Sequence, residues 1–164
     1  MLNEIELRLF RNDDAEEVST MIAKTLREIN RKDYTSEYIN NTINNLQPKD
    51  LIKRATLTHF YVAIINDSIV GCGAIGPYWG REDESSLFTI FVLPEYHKRG
   101  IGTRIVEKLE QDEFFLRAER IEVPASITAA SFYLKMGYGF KNRVKEPDEE
   151  GLLRMEKRKE PQVL

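Results

Sequence analysis

Gly100 and Gly102 stand one residue apart in the stretch PEYHKRGIGTRIVEKLE, behind the basic trio His97-Lys98-Arg99 and at the head of a helical pattern. Backbone amides in the first turn of a helix have no acceptor inside the helix, and the helix dipole adds positive character there. Glycine removes the Cβ that would hold an anion away from that backbone. The chemistry this spacing suits is the cradling of a phosphate or pyrophosphate, with Lys98 and Arg99 supplying charge beside it. A P-loop is excluded, because Gly102 is followed by Thr103-Arg104 and not by Lys-Ser/Thr. The dinucleotide fingerprint is excluded too, since position 105 is isoleucine where a third glycine is needed. Alone, a Gly-x-Gly at a helix start also reads as a tight strand-to-helix turn without a ligand.

Other residues able to do chemistry are few. The single cysteine, Cys72, rules out an intrachain disulfide and a multi-cysteine metal site. Its place in SIVGCGAIG favours a buried structural thiol over a nucleophile. His59 and His97 are too scattered for a zinc site, so no metal is expected, and His59 reads as a plain strand-end residue.

The elements that must position the glycines follow from periodicity. IELRLF alternates, with Ile5, Leu7 and Leu9 on one face of a first strand. Val18, Ile22, Leu26 and Ile29 predict a helix over 14–29, and a second helix opens at Thr35 or Ser36 and ends at Pro48. HFYVAIINDSIVGCGAIGP predicts a hairpin turning at Asn66-Asp67-Ser68. SSLFTIFVL is the strand that feeds the glycine loop. The helix after Gly100 carries Ile101, Ile105, Val106 and Leu109 inward. RIEVPA is a strand broken by Pro124, a helix runs from about Ile127 to Met136, and YGFKN and LLRMEK close the sheet around the acidic loop KEPDEE. The order β-α-α-β-β-β-α-β-α-β-β gives a mixed α/β class, one sheet with helices on its faces. Residues 1–158 form a single domain, and 159–164 read as a flexible tail.

At 164 residues, with 41% apolar and 31% charged side chains, the chain suits one ordinary globular domain. A net charge of −3 argues against nucleic acid as the main partner. With no apolar run of spanning length and no basic-then-apolar leader, no membrane association and a cytoplasmic location are expected.

The run V-x-P-x-Y-H-K-R-G-I-G-T resembles the acetyl-CoA signature of the GCN5-related N-acetyltransferase (GNAT) family, Gln/Arg-x-x-Gly-x-Gly/Ala, with His97 where Gln or Arg is usual. SITAASFYLKMGY is similar to a later family segment, in which a helix carries a tyrosine before Leu/Met-Gly-Phe/Tyr. Tyr133 and Gly137-Tyr138 match it, and Ser126 stands where many members place a cofactor-contacting asparagine. LRLFRNDDAEEV and FYVAIINDSIVGCGAI resemble the family's opening and its central hairpin, so the likeness spans most of the chain in order.

The resemblance implies a GNAT-type fold, one twisted central sheet flanked by helices, in which neighbouring parallel strands splay to admit acetyl-CoA. Those strands would end at Val92-Leu93 and Val123-Pro124, and a proline suits a strand leaving its neighbour. Ile90, Phe91 and Val92 would face the pantetheine and acetyl groups, and Lys98, Arg99, Gly100, Ile101, Gly102 and Thr103 the pyrophosphate. The implied reaction is direct attack of a small-molecule or peptide amine on the thioester. Tyr133 would protonate the leaving thiolate, and the N–H of Val92 or a neighbour would meet the oxyanion. Some members carry a basic glutamate where this chain has Ser86. Glu84, two residues earlier, is the substitute candidate for general base, with Glu122 a second, each also readable as a surface charge. The family's first helices and following loops shape the acceptor site, here residues 27–38 with Tyr34 and Tyr38, and the loop PYWGREDE. Trp79 and Tyr78 beside its acids would suit a cationic amine, or simply form a polar hairpin loop. A non-catalytic acyl-CoA sensor is the alternative from another class, and an unrelated phosphate-binding domain the third. A homodimer is the family's default.

Overall fold

Asn66 and Asp67 both adopt left-handed backbone, with φ of 50° and 64°. A two-residue reversal of that hand matches the twist of the strands it joins. Here it links β2 (His59–Ile65) to β3 (Ser68–Pro77), and β4 (Glu84–Val92) returns antiparallel to β3. In the computed structural model, which describes residues 4–159, these strands are the middle of a seven-stranded sheet of order β1-β2-β3-β4-β5-β7-β6. The others are β1 (Glu6–Leu9), β5 (Arg120–Ser126), β6 (Gly139–Phe140) and β7 (Leu152–Arg158). Every pairing is antiparallel except β4 with β5, which is parallel. The mixed α/β class and the GNAT-type architecture expected from the resemblance are therefore present.

Alternation along the strands feeds two cores, one on each face. Phe60, Val62, Cys72 and Ala74 face a layer made by α1 (Ala15–Glu28), α2 (Ser36–Asn44) and α3 (Pro48–Leu57). Ala63, Ile65, Val70 and Leu87 face the opposite layer, with α4 (Ile101–Leu109) and α6 (Ala130–Lys135). Gly71 and Gly73 let α4 settle onto β3: a Cβ at either would come within 2.8 or 2.7 Å of Ile105. α5 (Glu113–Leu116) follows α4 after a tight turn. None of the described helices is long and apolar enough to cross a membrane.

Two expectations need correction, Pro48 as a simple helix end and Leu9 as an inward residue. Pro48 does not simply end the second helix, because it opens α3 at the first helical position, where its missing N–H is no loss. The Gln47 N–H donates to Asp50 Oδ2 at 3.0 Å, closing that start. Only Leu51 of α3 is fully buried, so the helix lacks the apolar stripe that periodicity detects. α5, at four residues, is too short to show any period. Leu9 is exposed at the end of the edge strand β1, while Phe10, on the opposite face, packs against Phe60 in the other layer. Of the expected tail, Lys159 donates its N–H to Glu119 O at 2.9 Å, and residues 160–164 lie outside the described residues.

The feature that makes a site is the parting of β4 from β5. They pair only at Glu84–Arg120, Ser85–Ile121 and Ser86–Glu122. Beyond Ser86, β4 bulges against β3, with Thr89 in left-handed backbone (φ 54°), and this bends its end away. On the other side Pro124 removes an N–H from β5. The β5-facing edge of residues 87–92 is left with no strand opposite.

Candidate active site

The parted strands open a cleft of roughly 890 Å³. Its floor is β4 from Leu87 to Val92, and one wall is the glycine loop. Lys98 (φ 63°) and Gly100 (φ 79°) both take left-handed backbone, folding the loop sharply into α4. At Gly100 the conformation itself calls for glycine, and a Cβ there would meet only open space. At Gly102 the reason differs, since a Cβ would press to 3.3 Å from the Phe132 ring. Among the described residues, the amides of Lys98, Arg99, Gly100, Ile101, Gly102 and Thr103 donate to no protein oxygen, and the first bond of the helix is Arg104 N–H to Gly100 O at 3.1 Å.

The loop is held from behind. His97 Nε2 lies 2.7 Å from Val92 O, and because a carbonyl only accepts, Nε2 carries the proton. Thr25 Oγ1, whose shorter bond is to Met21 O at 2.9 Å, lies 3.3 Å from the same carbonyl, and Lys24 pairs with Glu95 at 2.9 Å. His97 thus serves the cradle by tying its loop to the end of β4, a role its sequence position did not show. Lys98 lines the cleft. The Arg99 side chain does not; its guanidinium sits over the Tyr96 ring, 5.2 Å from the centroid.

Ile90, Phe91, Val92, Ser126 and Tyr133 all line the cleft, as expected. Ser126 Oγ accepts the Ala129 N–H at 3.1 Å, starting the turn into α6 and leaving its own O–H free to donate. Tyr133 is 4% exposed, and burial raises its pKa above that of an ordinary tyrosine. Its hydroxyl has no protein partner, yet no buried side-chain polar atom among the described residues is left unpaired, so this oxygen must open on the cleft. Cys72 is fully buried, its Sγ donating to Thr89 O at 3.2 Å, and burial pushes its thiol up to about 12, away from nucleophilic use.

The two candidate bases are not brought to the cleft. Glu84 is bound by Arg120 and lies 3.1 Å from Arg81. Glu122 is 1% exposed and meets Arg120 at 2.9 Å, Lys141 at 2.8 Å and Arg154 at 3.6 Å. Glu156 completes the cluster, 3.1 Å from Arg120. These cations hold the Glu122 carboxyl below its usual pKa in spite of burial. The loop PYWGREDE also stays outside: Trp79 is 86% exposed, and the Tyr78 ring packs against Arg120 and Lys141.

Tyr34, Tyr38 and Arg54 also line the cleft. The two tyrosines stack, with centroids 4.3 Å apart. Their hydroxyls donate to Gly151 O at 2.6 Å and Glu150 O at 2.9 Å, pinning the acidic turn over the mouth. Arg54 comes from α3, the helix that periodicity missed, and donates to Thr89 Oγ1 at 3.2 Å. The pattern Gln-Pro-x-Asp at 47–50 was the available signal for it.

A cleft between parting parallel strands, walled by open amides at a helix start, defines an acyltransferase of the acyl-CoA type. A family model described as an acetyltransferase (GNAT) domain matches residues 56–139, and the chain belongs to that family, the GCN5-related N-acetyltransferases. Among solved structures, the PaiA N-acetyltransferase of Thermoplasma acidophilum, in complex with coenzyme A, superposes with a TM-score of 0.79 at 20% identity, over 95% of this chain and 99% of its own. A GCN5-related N-acetyltransferase of Rhodopseudomonas palustris gives 0.78 at 21%, over 96% and 98%. The N-acetylglutamate synthase of Neisseria gonorrhoeae, complexed with coenzyme A and N-acetyl-glutamate, gives 0.65 at 13%, over 96% of this chain and 36% of that one. No curated protein sequence matches the chain.

Proposed function

We propose that the protein transfers an acetyl group from acetyl-CoA directly to a primary amine of a small molecule or peptide. The observation that carries this reading is the run of six amides, Lys98 to Thr103, without a protein acceptor beside the parted strands. Such a run suits a pyrophosphate. Lys98 adds charge, Ser126 can donate to the pantetheine arm, and Ile90 to Val92 present strand backbone to the acyl end. Coenzyme A in the Thermoplasma and Neisseria structures supports the choice of donor.

In the proposed reaction the neutral amine attacks the thioester carbonyl, the C–N bond forms, and the π electrons move to oxygen, towards the N–H of Val92 or a neighbour. Collapse breaks the C–S bond. The thiolate takes the Tyr133 proton, the amide nitrogen loses its extra proton to water, and Tyr133 is reprotonated from solvent. Burial raises the Tyr133 pKa, so its hydroxyl stays protonated and, being a weaker acid than a thiol, passes its proton only as the C–S bond breaks. Among the described residues Glu150 is the one carboxylate residue lining the cleft, and it is paired with Arg154 at 3.1 Å, so in this reading the amine gives its first proton to water and not to a protein base.

Calorimetric titration with CoA and acetyl-CoA, followed by thiol release over a panel of amines, tests the reading. Micromolar binding with amine-dependent release supports it. Binding without turnover on any amine points to the sensor alternative, and no binding at millimolar concentration overturns both.

A further inference from the structure

Arg54 is a half-buried guanidinium lining the cleft, and among the described residues it forms no ion pair. No carboxylate among the described residues lies within 4.0 Å of it. One of its five N–H groups reaches Thr89 Oγ1 at 3.2 Å, and among the described residues no other finds a side-chain or carbonyl partner. Asp50, one turn earlier on α3, acts on it only through space, its carboxylate being bonded to the Gln47 N–H. Burial lowers the Arg54 pKa without removing its charge, and the neighbouring Cys72 thiol is held neutral. An unpaired guanidinium kept half out of water is costly unless something completes it.

The charges lining the cleft divide by function. Lys98 belongs to the pyrophosphate loop, and Glu150 is neutralised by Arg154 at the rim. Arg54 is what remains on the acceptor side. A polyamine would meet an unshielded cation there, whereas a planar carboxylate would find a fork of free donors anchored by the Thr89 bulge. We propose that Arg54 anchors a carboxylate on the acceptor, so that the substrate is a small amine bearing one acidic group and not a polycation. This inference rests on the acetyl-transfer reading above and assigns the substrate class to the same cleft.

The test uses 4-aminobutyrate and glutamate as probes, with butylamine and spermidine as matched amines lacking the acid, on the parent protein, Arg54→Ala and Arg54→Lys. Binding of each probe to CoA-loaded protein is measured by calorimetry, and turnover by thiol release. The acidic amines are expected to bind and react in preference to butylamine and spermidine. Arg54→Ala should raise KM for the acidic amines by about ten- to a hundredfold, as expected for a lost charged hydrogen-bond pair. CoA affinity, and the weak reaction of butylamine, should not change, and Arg54→Lys should restore part of the loss. Preference for spermidine, failure of either acidic amine to bind the CoA-loaded protein, or an equal loss with all amines in Arg54→Ala would overturn the proposal while leaving acetyl transfer standing. Failure of CoA itself to bind would overturn both.

Discussion

β4 and β5 run side by side for three residues and then part, and the two halves of this pair treat charge in opposite ways. Where they are joined, Glu84, Glu122 and Glu156 are met by Arg120, Lys141 and Arg154, and no buried side-chain polar atom is left without a partner. Where they part, among the described residues, six amides and a tyrosine hydroxyl lack protein partners, and a guanidinium has only Thr89 Oγ1. The first half has its electrostatics completed by its own chain. The second is preorganised for groups that must come from outside, which is how a fold separates holding itself together from holding a ligand.

The largest effect should come from breaking the completed half. Glu122→Ala leaves Arg120 and Lys141 without their shared anion, and chemical denaturation should show a loss of about 3–5 kcal/mol, with CoA affinity nearly unchanged. The sign with pH is fixed by the lowered Glu122 pKa: its stabilising contribution is full above the ordinary value of 4.5 and is lost as pH falls through the folded value. Parent and Glu122→Gln should therefore converge in acid, and a gap that widens there would contradict the assignment.

Breaking the open half should spare the fold and cost the ligand. Replacing both Gly100 and Gly102 by valine strains the left-handed residue and drives a side chain into Phe132. CoA affinity should fall by at least about a hundredfold, since charged hydrogen bonds contribute about 1.5–3 kcal/mol each. Smaller still is Tyr133→Phe, for which kcat should drop about ten- to a hundredfold, within the range of a single positioned acid, at constant CoA affinity. Smallest is the pH response. In the proposed mechanism kcat/KM should rise along the titration of the acceptor amine, and the raised Tyr133 pKa should delay any alkaline decline beyond that of a free tyrosine, about pH 10. A profile that shifts with Glu150→Gln and ignores the choice of amine would place the base in the protein.

The same contrast explains what could be read in advance. The glycine loop, α4, the hairpin turn and Tyr133 are encoded locally, in spacing and turn chemistry, and in motifs that resemble a family. Glu84 could not be judged from its own neighbourhood, because Arg120, which pairs with it, is 36 positions away and adjacent only through a parallel pairing. Arg54 was hidden by a different ambiguity: Pro48 can stop one helix or start the next, and a helix that buries only Leu51 has no stripe to reveal it. Trp79 and the acids around it looked like an acceptor surface, but their place follows from Tyr78 packing on the ion-pair cluster.

Hydrogen exchange at single-amide resolution, with and without CoA, tests the central contrast most directly. Bound CoA should slow exchange at Lys98 to Thr103 and leave the amides around Arg120 and Glu122 unchanged. Unaltered exchange across 98–103 at saturating CoA would mean that these amides hold no pyrophosphate, and the account of the open half would fail.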